Sequence, residues 1–167
     1  MPKRSVKANK NIYFTSREDA GMTRAAASEA TFLSESRIEK IEYDQTRPNP
    51  EDVVAMAQAY RKPALCNYYC SNDCAIGLRS VPELKETGLT QIVLSLLDSF
   101  NSMSEQRDRL IRIAADGEVS PEELPEFMAI KKQLTDISVA VDTLQLWIDS
   151  RIAEGKISKE DYESLSQ

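Results

Sequence analysis

A chain of 167 residues has room for one large domain or two small ones, and a composition of 41% hydrophobic and 7% aromatic residues suits a folded, mostly helical protein. It has no run of about eighteen apolar residues, so no segment is expected to span a membrane, and the basic start MPKRSVKANK lacks the apolar stretch of a secretory leader, so a cytoplasmic protein is expected. The net charge of −6 is unevenly placed: residues 1–62 hold 11 Lys and Arg against 9 Asp and Glu, a net of +2, and residues 63–167 hold 10 against 18, a net of −8.

Residues 1–10 carry Lys3, Arg4, Lys7 and Lys10 with almost no apolar side chains, the composition of a flexible basic arm. Such an arm is either a solvated tail or a strand that touches DNA phosphates or a minor groove. Ile12–Ala20 reads as a first helix stopped at Gly21. Thr23 then caps a helix over Arg24–Ala30, a run dominated by alanine. Phe32 and Leu33 place apolar bulk in the turn that follows, and Ser34 caps the next helix, with Arg37 in place of the Glu or Gln of a capping box. Ile38 and Ile41 lie three apart on one face and anchor this helix from behind, while Glu35, Ser36 and Lys40 point elsewhere. A short helix held in this way is what reading a DNA major groove requires.

Residues 11–63 resemble the lambda-repressor-like (XRE-type) helix-turn-helix family. The resemblance is carried by Arg17-Glu18-Asp19-Ala20-Gly21-Met22-Thr23, Leu33-Ser34, Ile38, Ile41-Glu42, Pro48 and Val53-Val54-Ala55-Met56-Ala57. It departs from the family pattern at Phe32, where the turn usually has glycine, at Asp44, where an Asn-Gly turn usually follows, and at the small or polar Ala27, Ser28 and Thr31. The resemblance implies a five-helix DNA-binding domain, a regulator of transcription that binds double-stranded DNA as a homodimer. Helix 34–43 would enter the major groove. By residue, it places Arg24, Glu35, Ser36 and Lys40 at base edges and Thr23, Tyr43, Gln45 and Arg47 on phosphates. It also implies a structural salt bridge between Arg17 and Glu42.

Asn49 or Pro50 starts a fourth helix through Tyr60, with Val53, Val54, Met56 and Ala57 as its buried side. Residues 64–88 form a connector that holds all three cysteines, Cys66, Cys70 and Cys74. Cys66 and Cys70 share a helix face; Cys74 joins them only if the chain folds back after Tyr69 or Cys70. Two readings stand: a zinc or iron–sulfur site completed by Asp73, water or a second subunit, making the protein a metal- or redox-sensing regulator, or reduced thiols packed as small hydrophobes.

Residues 89–167 read as a long antiparallel helical hairpin with a dimerising or regulatory role. Thr90 caps a helix over Gln91–Ala115, with Ile92, Val93, Leu96, Leu97, Phe100, Met103, Leu110, Ile111 and Ala114 spaced three and four apart. Ser120-Pro121-Glu122-Glu123 restarts a helix that runs to about Glu154. Its residues Phe127, Ile130, Leu134, Ile137, Val141, Leu144 and Ile148 form a heptad seam, from which a coiled-coil dimer is expected; packing on the chain's own N-terminal domain is the alternative. The segments around Gly117 and Gly155 resemble fragments of calcium-binding EF-hand loops, but aligning either glycine puts Arg112 and Ala114, or Ser150 and Ile152, where carboxylates belong.

The fold class expected is therefore all-α. With no histidine and no glycine-rich phosphate loop, the chain is not expected to be an enzyme. A helical interaction module that does not bind DNA is the remaining function class, suggested by the acidic balance and by Glu35, Glu39 and Glu42 on the reading helix.

Overall fold

Each of the first four helices starts on a side chain suited to starting one. The computed structural model describes residues 10–115 and 117–165, so the expected arm lies outside the described residues except for Lys10. Asn11 caps α1 (Ile12–Asp19) by accepting from the Phe14 amide, and its own amide donates to the Ile41 carbonyl at 2.7 Å and to Asp44 at 2.8 Å. One side chain thus starts α1 and ties it to the end of a later helix. Thr23 caps α2 (Arg24–Thr31) through the Ala26 amide, and Ser34 caps α3 (Glu35–Glu42) through the Arg37 amide. Asn49 and Asp52 close a full capping box at the head of α4 (Pro50–Ala59), with proline in the first turn.

These caps let short helices survive because packing supplies the rest of their stability. Tyr13, Ala27, Ile38, Ile41, Val53, Met56, Ala57, Tyr60 and Leu65 form one buried cluster. Val54 is the exception to the expected buried side of α4 and lies at the surface. Leu65 belongs to α5 (Ala64–Asn72), so the cysteine segment is part of this core rather than a connector. It is followed by α6 (Gly77–Ser80).

Two long helices come next, α7 (Leu89–Ile113) and α8 (Leu124–Ala153), and a short α9 (Lys159–Leu165) ends the described chain. No strand occurs among the described residues, so the protein is all-α as expected. α7 starts two residues earlier than expected, on Gly88 with no side-chain cap, and Thr90 lies inside it. Before α8, Ser120 and Glu123 exchange hydrogen bonds in a capping box of their own. α7 and α8 form a helical hairpin, with an Arg109–Glu126 ion pair of 3.2 Å near the turn.

By contact, the described residues divide into one compact unit of residues 10–83 together with 149–165 and another within Leu84–Ile148. The end of the described chain therefore groups with the N-terminal helices, and the Lys156 hydrogen bond, then the charges of Arg151, Lys156 and finally Lys62, hold the Glu154 carboxyl below its ordinary pKa. Of the expected heptad seam of α8, Ile130 is buried, Phe127, Ile137, Leu144 and Ile148 are half-buried, and Leu134 and Val141 are exposed in the single chain. The covered stripe is rotated, taking Gln133 and Ala140 in place of Leu134 and Val141.

Candidate nucleic-acid interface

α2, a turn at Phe32-Leu33-Ser34 and α3 make up a helix-turn-helix. Reversing the chain between them needs a left-handed residue, and Phe32 supplies it at φ 59° with its ring 94% exposed. Leu33 points the other way and packs on the core. Behind α3, Ile38 and Ile41 are fully buried, which fixes the axis of the helix. On its outer side Glu35, Ser36, Glu39 and Lys40 are all exposed.

A buried carboxylate fixes the rotation of α3. Glu42 is 1% exposed and receives two guanidinium groups. Arg17 donates to it through Nε, and through Nη2 at 3.3 Å, and Arg24 donates through Nε at 2.8 Å. Arg17 also donates from Nη1 to the Met22 carbonyl at 2.6 Å and to Glu18 at 2.9 Å, and its guanidinium lies over the Phe14 ring. Burial alone would lower the pKa of Arg17, but the hydrogen bonds and charge of Glu42 outweigh it and leave the pKa raised. The same balance holds at Arg24, where Tyr43 and Glu42 overcome the burial. A buried anion with two cations on it is held more firmly than a single pair, because its oxygens are satisfied from two helices.

Arg24, which the resemblance places at a base edge, is held here by carboxylates and an aromatic ring. Its guanidinium bonds Glu42, reaches Glu39 at 3.3 Å and stacks over Tyr43 with 5.0 Å to the ring centroid. Of the base-edge candidates, Glu35, Ser36 and Lys40 stand outward on α3, and Arg24 braces that helix. Among the phosphate candidates, Thr23, Gln45 and Arg47 are exposed and Tyr43 is half-buried beneath Arg24.

Arg37 has a role that sequence reasoning missed. Its side chain donates to Asp52 at 2.6 Å, to Thr46 at 3.1 Å and to the Arg47 carbonyl at 3.1 Å. It therefore clamps the segment after α3 and joins α3 to the cap of α4. The signal was an Asp at the third position of α4 with an Arg fifteen residues earlier, a separation that helical periodicity does not register.

The cysteine segment does not assemble a metal centre. α5 runs on through Asn72 instead of folding back after Tyr69 or Cys70, and the reversal comes only at Asp73 and Cys74. All three cysteines are free and half-buried, and among the described residues no group of three His, Cys, Asp or Glu could hold an ion. Burial, and then the charge of Cys70, pushes the Cys66 thiol up. Asp73, the expected fourth ligand, accepts a hydrogen bond from Tyr13 Oη at 3.0 Å. The residues present do not fit zinc or an iron–sulfur cluster.

Residues 15–64 match a protein family described as a helix-turn-helix domain. Neither the curated proteins nor the solved structures compared with the chain gave a match. The geometry of α2 and α3 and the family match agree on a helix-turn-helix in the N-terminal part of this chain.

Proposed function

We propose that the protein is a sequence-specific DNA-binding regulator of transcription of the lambda-repressor-like (XRE) type, cytoplasmic, repressor-like and active as a homodimer. One observation carries this reading: α3 is pinned from behind by Ile38, Ile41 and the doubly paired Glu42, and offers Glu35, Ser36 and Lys40 to solvent. In a major groove Lys40 donates to guanine O6 and N7, Glu35 accepts from cytosine N4, and Ser36 serves either. Gln45, Arg47 and Thr23 hold phosphates and set the register. The glutamates on the helix weigh less against binding than their number suggests, since Glu42 is buried and Glu39 is paired with Arg24. A dimer places two copies of α3 about 34–36 Å apart on a near-palindromic site.

Selection of genomic fragments by the purified protein tests the reading and supplies the operator. On that operator Lys40→Ala is expected to weaken binding by about 1–3 kcal/mol, and wild-type binding to weaken steeply with added salt. Unchanged affinity in the variant overturns the assignment of α3 as reader. No binding to any duplex at low salt instead favours a helical interaction module.

A further inference from the structure

The hairpin leaves one of its flanks uncovered, and this flank is apolar. On α7 the covered stripe runs through Ile92, Leu96, Met103 and Leu110, while Val93, Leu97, Phe100 and Ile111, each about one residue further round, are exposed. On α8 the covered stripe runs through Ile130, Gln133, Ile137, Ala140 and Leu144, and the exposed Leu134 and Val141 again follow it by one residue. One residue is about 100° of helix. In two antiparallel helices that face each other, equal advances from the covered stripe turn toward the same side of the pair. Both exposed stripes therefore lie on a single face.

We propose that this face, centred on Leu89, Val93, Leu97 and Phe100 of α7 and Leu134 and Val141 of α8, docks a second copy of the chain and closes a four-helix bundle. Three observations select that occupant. The six side chains are between 41% and 54% exposed. At roughly 80 Å² each they offer about 500 Å² of apolar surface per copy, over half of the ~800 Å² per partner that a stable complex buries. Charge is sparse beside most of this face: Asp98 is the one charged residue from Leu89 to Met103, and Asp142 the one from Ile137 to Ile148, while Lys131, Lys132 and Asp136 make a charged margin beside Leu134. Interface centres are depleted of charge in this way. Finally, two helices alone bury one stripe each, and an identical hairpin laid face to face covers the second stripe of both by symmetry. This inference deepens the proposed function by naming the surface that pairs its reading heads, and it replaces a seam confined to α8.

Sedimentation of the full chain without DNA tests it apart from any operator. The wild type is expected at twice the 18.8 kDa of one chain, with a melting temperature that rises with concentration. Leu97→Glu combined with Val141→Glu is expected to raise the dimer dissociation constant at least about 100-fold with helical circular dichroism retained, since both side chains are at the surface. Ser95→Glu, on another side of α7, is expected to leave the dimer intact. Should the double variant lose its helicity, the milder Leu97→Ser and Val141→Ser are expected to weaken the dimer in the same direction. A monomeric wild type, or a double variant that still pairs like the wild type, overturns the proposal, and failure of a true dimer to bind DNA overturns only the DNA reading.

Discussion

Phe32 has the least favourable backbone in the helix-turn-helix. A left-handed conformation costs a residue with a Cβ about 1–2 kcal/mol, and with its ring 94% exposed Phe32 recovers little of that by packing. Glycine would remove the strain and give back part of the gain through the greater freedom of the unfolded chain. Phe32→Gly is therefore expected to stabilise the domain by about 0.5–1 kcal/mol, read as a higher urea midpoint at unchanged slope. A lower midpoint would show that the ring makes a stabilising contact. Tyr60 is a second residue whose side chain is poorly used. Its hydroxyl is buried with no hydrogen-bond partner among the described residues, so Tyr60→Phe at neutral pH is expected to be neutral or stabilising by up to about 1 kcal/mol.

Among the elements, the junction of α5 with α6 is set by one missing side chain. A Cβ on Gly77 would run into the backbone carbonyl of Cys70, an atom that cannot swing aside. Gly77→Ala is expected to cost about 1–3 kcal/mol by forcing the two helices apart, and a thermal melt of the variant checks it. Unchanged stability would mean that the crossing is looser than the backbone indicates. The link between α3 and α4 rests instead on charge, through Arg37 and Asp52. Since Asp52 also closes the capping box of α4, one carboxylate starts a helix and positions the segment that follows α3.

At the scale of the molecule, buried tyrosines set the response to alkali. Burial pushes the Tyr60 phenol up to about 12, with a further rise from the charge of Glu42 and a smaller opposing effect of Arg17. Burial, and then the hydrogen bond to Asp73, raises Tyr13 as well. Both groups are held neutral in the fold, and an unfolded tyrosine titrates near about 10. Above that pH the unfolded chain gives up protons that the folded chain keeps, so stability is complete below about pH 10 and falls as pH rises toward 12. Urea midpoints are expected to be unaffected by these two groups between about pH 7 and 9 and to drop steeply beyond. The drop should be smaller in Tyr60→Phe; an equal drop in the variant would assign the alkaline response to other groups.

The sequence by itself determined what is local: helix starts at Thr23, Ser34 and Asn49, the anchoring pair Ile38 and Ile41, and two long helices after residue 88. Caps and periodicity act within a turn or two, and this part of the fold was legible for that reason. Only the tertiary structure decided which partner each charge finds. Arg24 bonds a carboxylate eighteen residues away and Arg37 one fifteen residues away, distances over which a chain's pattern gives no preference between a base edge and a glutamate. It likewise decided which flank of α8 is covered, because apolar residues lie on more than one side of that helix and the period alone does not say which side meets α7. The grouping of residues 149–165 with the N-terminal unit was set by the same kind of long-range packing.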